Sequence, residues 1–351
     1  MAEEIFGMNI LVDYHQDDLY YSLYLLLEKR LGHKLYRPIG MDWFEQGYWD
    51  IGNPYPNPAD TAKQFLGIDD RTWDAYKNLN GDYHIVDGIY RVFNPPHNFH
   101  HRAITFEKFK EIQIDIIISS YPFGHDQTYK RLRDTFKPEA KLVSQMGNIN
   151  QHTDLENVLC SIAPFPSDKN IVFYHQEFDL ETYKFKLPKK DSPNLIRSFV
   201  NLLPRADLFA EISKMMPEFT FEAYGAGCPN GTISSEKDIA RMMQESMFGW
   251  HVKPGGDGFG HVIHNWYAVG RPVITSISDY KDKLAGELLT DNITCIDIDG
   301  KTPEELVEKI EYFSQWQNHQ RMCLNAMSRF EYIVNYEAEA KEIEQFLENL
   351  R

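Results

Sequence analysis

The chain has 351 residues, of which 42% are hydrophobic, and a formal net charge of −16. This length predicts two domains, each able to bury a sizeable core. The acidic balance disfavours general nucleic-acid binding, because a polyanion would be repelled. No run of about 18 apolar residues is present, so no membrane-spanning helix is expected. The first residues, MAEEIFGMNILVDY, lack the basic-then-apolar layout of a signal peptide.

The cysteines lie far apart and form no CxxC pair; they are Cys160, Cys228, Cys295 and Cys323. Scattered cysteines in a long chain predict reduced thiols in buried or half-buried positions. We therefore expect neither a disulfide framework nor a metal site, and a cytoplasmic location.

The first half of the chain alternates apolar segments with helical periodicity. Residues 9–13 predict a strand and residues 17–31 a helix, in which leucines recur at helical spacing. Residues 36–58 are rich in prolines and aromatic residues and predict a loop, and residues 70–110 predict mostly irregular structure with a strand at 83–86. Further strands are predicted at 114–119, 141–144 and 170–174, with a helix at 127–136. This alternation favours a parallel sheet covered by helices.

A polar, proline-bearing stretch at residues 184–193 predicts a domain boundary. The pattern that follows is again strand and helix in turn. Strands are predicted at 194–201, 219–224 and 293–298, and helices at 206–216, 235–247, 303–313, 316–330 and 336–350. Thr302 is the predicted cap of the helix at 303–313, with Pro303 in its first turn. The sequence thus predicts two successive α/β halves.

The most informative segment is 251–274, HVKPGGDGFGHVIHNWYAVGRPVI. Its order of apolar segment, glycine-rich turn, amphipathic run, Gly-Arg-Pro and β-branched segment predicts strand, loop, helix, tight turn and strand. Glycines ahead of a helix let backbone N–H groups approach an anion, and the helix dipole favours negative charge there. We therefore predict a diphosphate-binding site at this helix.

Residues 257–274 resemble the donor-binding motif of family-4-type retaining glycosyltransferases with the GT-B fold. In that motif E-G-F-G is followed, after four residues, by E-A-x-A-x-G-x-P-V-I. Asp257 and Asn265 fall on the two glutamates and Trp266 on the first alanine. The matching residues are Gly258, Phe259, Gly260, Ala268, Gly270, Pro272, Val273 and Ile274.

The resemblance implies two Rossmann-like, doubly wound domains that face a central cleft. Residues 1–185 would form the acceptor domain and 186–335 the donor domain, and the helix of 336–351 would pack back on the acceptor domain. The implied activity is metal-independent transfer of a sugar from a UDP- or GDP-type donor to a hydroxyl acceptor such as a carbohydrate, with retention of configuration. No cofactor beyond the donor is implied.

The resemblance also implies roles for residues of the donor domain. Asp257 would bind hydroxyls of the donor sugar and Asn265 the ribose. The donor loop would add Gly256, Gly258, Phe259, Gly260 and His261, and Gly225 would lie near the nucleotide base. Charge on the departing diphosphate needs neutralising cations. The family carries an Arg/Lys pair for this purpose, and here Arg205 and Lys253 are the candidates.

Candidate acceptor residues follow strands of the first half. Asp13 and His15 stand at the carboxyl end of the first strand, where an acceptor hydroxyl could be oriented or deprotonated. Tyr121 and His125 follow the strand at 114–119, and Trp43 could stack on a sugar face. The plain alternative for each is a helix cap, an ordinary loop residue or a packing residue.

Three other functions remain open at this point. An epimerase of the same fold would need carboxylates, and Asp13 and Asp257 are compatible with it. A non-catalytic nucleotide-sugar-binding protein fits the departures at Asp257 and Asn265 and the missing Arg/Lys pair. A glycosyltransferase acting on modified DNA bases is disfavoured by the net charge of −16.

Overall fold

A computed structural model describes residues 7–12, 17–38, 83–94, 97–119, 126–148, 151–162 and 168–351. The chain divides into two compact units. Unit 1 consists of Met1–Phe178 and Tyr336–Arg351, and unit 2 of Asp179–Asn335. Among the helices described, none is both long and apolar enough to cross a membrane.

Unit 1 is built on a nine-stranded sheet, as far as its described residues show, in the order β3-β4-β5-β2-β1-β6-β7-β8-β9. Neighbouring strands from β5 to β9 are parallel, and β3 and β4 add an antiparallel hairpin at one edge. The strands are β1 (Asn9–Val12), β2 (Lys34–Pro38), β3 (Tyr83–Val86), β4 (Ile89–Asn94), β5 (Phe99–Ile104), β6 (Ile116–Ser119), β7 (Lys141–Met146), β8 (Asn157–Cys160) and β9 (Asn170–Phe173). The helices are α1 (Asp17–Leu23), α2 (Phe106–Glu111), α3 (Asp126–Phe136) and α9 (Tyr336–Leu350).

The sequence prediction was wrong at several points in unit 1. The end of β2 lies in the predicted loop of 36–58, and β4, β5 and α2 lie in the stretch predicted to be mostly irregular. Strand β8 was also missed. In β5 the residues alternate between buried and more exposed positions, and its exposed face carries histidine and arginine. Strands of this kind lack the continuous apolar run that marks a buried parallel strand.

The helix predicted at 17–31 changes character halfway. After α1 the chain continues as a π-helix over Tyr24–Arg30. The Leu31 N–H donates to the Leu26 carbonyl at 3.3 Å, five residues back. π-Helical turns are rare, because their hydrogen-bonding geometry is less favourable than that of an α-helix. This one ends at Arg30, which makes long-range ion pairs.

Arg30 forms ion pairs with residues next to both points where the chain crosses between the two units. Its guanidinium donates to both oxygens of Glu177, at 2.7 and 2.9 Å, and also pairs with Glu337. Glu177 directly precedes the exit from unit 1, and Glu337 follows the return at Tyr336. Beyond this point α9 buries Ala340, Ile343, Phe346 and Leu347 in the unit 1 core.

Unit 2 contains a five-stranded parallel sheet in the order β11-β10-β12-β13-β14. The chain runs from β10 outward to β11 and then returns to the other side of β10, so the sheet is doubly wound with its switch point between β10 and β12. The elements are β10 (Leu195–Phe199), α4 (Ala206–Met215), β11 (Thr220–Tyr224), α5 (Glu236–Glu245), β12 (Phe248–Trp250), α6 (His261–Ala268), β13 (Val273–Thr275), β14 (Cys295–Asp297), α7 (Pro303–Ser314) and α8 (Trp316–Ile333).

The predicted helix cap of α7 and the predicted state of the cysteines are confirmed. Thr302 caps α7 in a capping box with Glu305, and Pro303 is its first residue. The cysteines carry free thiols, buried at Cys160, Cys295 and Cys323 and partly exposed at Cys228.

The bulky Trp266 fits because Gly249 has no side chain. Trp266 lies on α6 and is fully buried. A Cβ atom on Gly249, in the middle of β12, would lie 2.5 to 2.7 Å from atoms of the indole ring. The Phe199 ring packs on the same indole, with ring centroids 5.6 Å apart. The helix therefore approaches the sheet closely despite a tryptophan where the resembled motif has alanine.

We expect Gly249→Ala to destabilise the protein by about 1–3 kcal/mol, because it overpacks the space that the indole fills. Urea denaturation measures the change. The matched control is Trp266→Leu, in which the same Gly249→Ala change should cost far less. An equal cost in both backgrounds would contradict the packing explanation.

Candidate functional site

The candidate site lies at the switch point of the unit 2 sheet. Strands β10 and β12 are paired in parallel, Ile196 opposite Phe248 and Arg197 opposite Gly249, so their carboxyl ends lie side by side. The glycine loop, residues 251–260, leaves β12 and leads into α6. The predicted order of strand, loop, helix, turn and strand is confirmed. Ligands of doubly wound sheets bind at this kind of position.

Asp257 is the most strongly held charge of the loop. One carboxylate oxygen accepts hydrogen bonds from His251 Nε2 at 2.8 Å and from the Tyr280 hydroxyl at 3.3 Å. The other pairs with the Lys253 ammonium. Burial by itself would raise the pKa of Asp257, but the hydrogen bonds and charges of His251 and Lys253 hold that pKa well below its usual range. Asp257 is therefore an anion at neutral pH.

Two of these partners differ from what the sequence suggested. His251 was assigned no role from the sequence, yet it is 1% exposed and bonded to Asp257. Lys253 was expected at a diphosphate and instead pairs with Asp257. Lys253 and Asp257 are four residues apart in a loop, where that spacing does not by itself bring two side chains together. The partnership with His251 depends on the path of the loop, which no local pattern encodes.

The segment that follows β13 packs directly on the glycine loop. A Cβ atom on Gly256 would lie 2.5 Å from both the Asp279 carbonyl oxygen and the Lys283 Nζ, and one on Gly260 would lie 2.7 Å from the Ala285 Cβ. Both glycines also have positive φ angles, +69° and +83°. Glycine is thus required at 256 and 260 by the protein's own packing and backbone, in addition to any ligand.

The same segment bonds both backbone polar groups of Gly255. Its N–H donates to Asp279 Oδ1 at 2.8 Å, and its carbonyl accepts from the Lys283 ammonium. Lys283 also donates to the Asp279 carbonyl at 2.5 Å. Burial lowers the pKa of Lys283, and the negative charges of Asp279 and Asp257 oppose that change. Lys283 is a second cation at the loop that the sequence analysis missed.

The start of α6 leaves hydrogen-bond donors and an acceptor unused. Within the described residues, the backbone N–H groups of Gly258 and Gly260 donate to no acceptor, and no side chain caps the helix at Gly260. The side-chain oxygen of Asn265, one turn further on, is buried without a hydrogen-bond partner. Unused donors at a helix N-terminus are suited to an anion.

The aromatic residues of the motif pack inside the unit. Phe259 is 2% exposed and its ring stacks on His264, with centroids 4.0 Å apart. His264 is fully buried. The ring of His261 is only partly exposed and meets Phe259 edge-on at 5.0 Å.

Two other residues that were predicted to bind the sugar donor lie on loops after neighbouring strands. Arg205 is exposed and adopts a left-handed conformation, φ +53°, where the loop after β10 enters α4. Gly225 follows β11, and a Cβ there would overlap the Val200 carbonyl. The Ala226 N–H donates to Asn201 Oδ1 at 2.8 Å, which joins these two loops. Asp13, His15, Trp43, Tyr121 and His125 lie outside the described residues.

Solved structures with the same architecture match almost the whole chain. HepE of Anabaena in complex with UDP and glucose is 13% identical with a TM-score of 0.62, covering 98% of this chain and 100% of that chain. A glycosyltransferase from Rickettsia africae is 13% identical with a TM-score of 0.61, covering 98% and 99%. The pneumococcal O-GlcNAc transferase GtfA in complex with UDP and GlcNAc is 10% identical with a TM-score of 0.57, again covering 98% and 99%.

The fold is GT-B. Identities this low establish the GT-B architecture and leave the activity to be argued from the site. No family model matches the chain, and no curated protein matches it in sequence.

The charge state of Asp257 makes a pH-dependent contribution to the stability of this GT-B protein. We expect Asp257→Asn to lower the free energy of unfolding by about 1–3 kcal/mol at pH 7, because His251 and Lys253 lose a charged partner. The pKa of Asp257 is lower in the folded state than in the unfolded state. Its contribution is therefore present above pH ~4 and is lost as the pH falls below that value.

Urea denaturation of both proteins at pH 7 and pH 3 checks this expectation. The difference in the free energy of unfolding between the wild type and Asp257→Asn should be smaller at pH 3 than at pH 7. A difference of the same size at both pH values would show that the charge of Asp257 does not stabilise the fold.

Proposed function

We propose that this chain is a glycosyltransferase of the family-4 type that moves a sugar from a nucleotide-activated donor to a hydroxyl acceptor. The observation that carries the proposal is the Asp257 carboxylate, bonded to His251 and Lys253, beside the uncapped N-terminus of α6 at the switch point of a doubly wound sheet. An acid there can bind sugar hydroxyls while the helix end binds a diphosphate.

A uridine diphosphate sugar is the donor class with most support. HepE was solved with UDP, with UDP-glucose, and with UDP and glucose, and GtfA with UDP and GlcNAc. We therefore place UDP ahead of GDP as the nucleotide. The sugar itself is not specified by the residues of the site.

The diphosphate would bind the free N–H groups of Gly258 and Gly260 and the positive end of the α6 dipole. Lys253 and Arg205 supply positive charge on the surrounding loops, and we propose that the site needs no metal ion. The unpartnered oxygen of Asn265 would accept from a ribose hydroxyl after a change of side-chain rotamer.

In the proposed reaction the bond between the anomeric carbon and the diphosphate oxygen breaks, and its electron pair leaves with the phosphate. The acceptor hydroxyl oxygen bonds the anomeric carbon and loses its proton. Asp257 would hold donor hydroxyls through this oxocarbenium-like stage, in which charge develops on the leaving oxygen. Retention of configuration is part of the proposal through the resemblance to the family.

The acceptor side of the proposal rests on unit 1. Asp13 and His15 follow β1, and we propose that they orient or deprotonate the acceptor hydroxyl. Tyr121, His125 and Trp43 complete the proposed acceptor residues. The proposed domains are 1–185 for the acceptor and 186–335 for the donor, with 336–351 returning to the first.

Binding without transfer is the second candidate, and one observation favours it. Both oxygens of Asp257 already accept hydrogen bonds, from His251, Lys253 and Tyr280. A carboxylate offers about four acceptor positions, so Asp257 can still accept from a sugar hydroxyl. It has fewer free acceptor positions than an unpaired glutamate would have.

Calorimetry and donor hydrolysis with the full chain separate these possibilities. We expect UDP to bind and to raise the melting temperature, GDP to bind more weakly, and at least one of UDP-glucose and UDP-GlcNAc to be turned over. Asp257→Asn should keep UDP binding and lose about 100-fold in turnover, because an interaction with the reacting sugar is removed. Glu211→Gln, an exposed acid on α4, is the matched control.

The outcomes are distinct. Binding of no nucleotide would overturn the proposal. Binding of UDP-sugars without turnover would favour the binding protein, and full turnover by Asp257→Asn would remove this residue from the mechanism.

A further inference from the structure

Holding the glycine loop in one conformation costs a large amount of backbone conformational entropy. Gly255 and Gly256 are consecutive and both left-handed, with φ angles of +75° and +69°. Glycine loses more backbone freedom on ordering than any other residue. A loop of this kind binds a ligand well only if other contacts order it beforehand, because otherwise binding itself must supply that free energy.

The segment after β13 provides such contacts at both backbone polar groups of one residue, Gly255. Asp279 accepts from the Gly255 N–H at 2.8 Å, and the Lys283 ammonium donates to the Gly255 carbonyl. We call Asp279 and Lys283, with the turn between them, the staple. The two residues are four apart and joined to each other, since Lys283 also donates to the Asp279 carbonyl.

The staple reaches the functional end of the loop as well. Tyr280, between the two residues, is fully buried and its hydroxyl donates to Asp257 at 3.3 Å. Gly256 lies so close to the Asp279 carbonyl and the Lys283 ammonium that even a methyl group would not fit. The loop thus cannot move away from its present path without breaking contacts to Gly255, Gly256 and Asp257 together.

We infer that Asp279 and Lys283 are positioning residues that hold the glycine loop in its ligand-binding conformation before the diphosphate of the donor arrives. The inference rests on the proposed function for the identity of the ligand, but the ordering of the loop does not depend on it. Because the diphosphate is bound both before and during the reaction, loss of the staple weakens donor binding and changes kcat little.

Hydrogen–deuterium exchange in the ligand-free full chain tests the staple directly. Lys283→Met should raise exchange in residues 253–260 at least tenfold, and Asp279→Ala should do the same. Asp279→Asn keeps an oxygen that can accept from the Gly255 N–H, so it should restore much of the protection. Lys281→Met is the matched control, because Lys281 lies exposed within the same turn.

Ligand binding supplies the second readout. We expect Lys283→Met to raise the Kd for UDP by about tenfold. The KM for a UDP-sugar that is turned over should rise by the same factor, while kcat stays within about twofold of the wild-type value. That tenfold change corresponds to about 1.4 kcal/mol. Unfolding in urea should be unchanged within error, which separates positioning from a general loss of stability.

Each result decides a different point. Unchanged exchange in residues 253–260 would overturn the staple. Weaker UDP binding with unchanged exchange would mean that Lys283 contacts the ligand itself, which also overturns it. If the wild-type chain binds no nucleotide while Lys283→Met raises exchange, the proposed function fails and the ordering role of the staple stands.

Discussion

The close approach of the 279–285 segment to the glycine loop is the constraint on which the candidate site depends. It brings Lys283, Asp279 and Tyr280 onto a loop that carries few side chains of its own. The approach requires glycine at 256 and 260, because any larger residue would overlap the opposing segment. Within the described residues, the N–H groups of Gly258 and Gly260 donate to no acceptor, so the ordered loop keeps unused donors at the helix end.

Neighbouring residues compensate for the positions at which this chain differs from the resembled motif. Trp266 replaces an alanine, and Gly249 beneath it supplies the missing space. Asp257 is one methylene shorter than glutamate, and His251, Lys253 and Tyr280 lie close enough to bond it. A GT-B fold is therefore compatible with a motif that keeps its glycines but changes its large and charged positions.

Arg271 shows how a motif position can carry a role that the motif does not reveal. It is the variable residue of the Gly-Arg-Pro turn, and the sequence suggested only a turn. In the structure it is 2% exposed and donates to the carbonyls of Ser246, Lys186 and Gln244. A buried guanidinium has to find acceptors for its five donors, and backbone carbonyls supply them here. This ties residue 186 to unit 2.

The α/β alternation, the glycine loop before α6 and the cap of α7 were predictable from the sequence, because each depends on residues close together in the chain. The sequence did not predict the end of β2, the strands β4, β5 and β8 or the π-helix. In the strands, polar residues on a half-exposed face hide the alternation of apolar and polar residues. The π-helix at Tyr24–Arg30 carries leucines at ordinary helical spacing, so periodicity predicts an α-helix there. Of the site, the sequence indicated Asp257, Asn265, Lys253 and the glycines, among other donor-binding candidates.

The sequence by itself therefore determined the order of elements and the place where an anion can bind, because glycine spacing and helix periodicity are local properties. Only the tertiary structure decided the partners of Asp257 and the hydrogen bonds to Gly255, because these involve residues 4 to 28 positions away that meet through the path of the loop and the parallel pairing of β12 and β13. Charge and conformation at the loop are set by those distant residues.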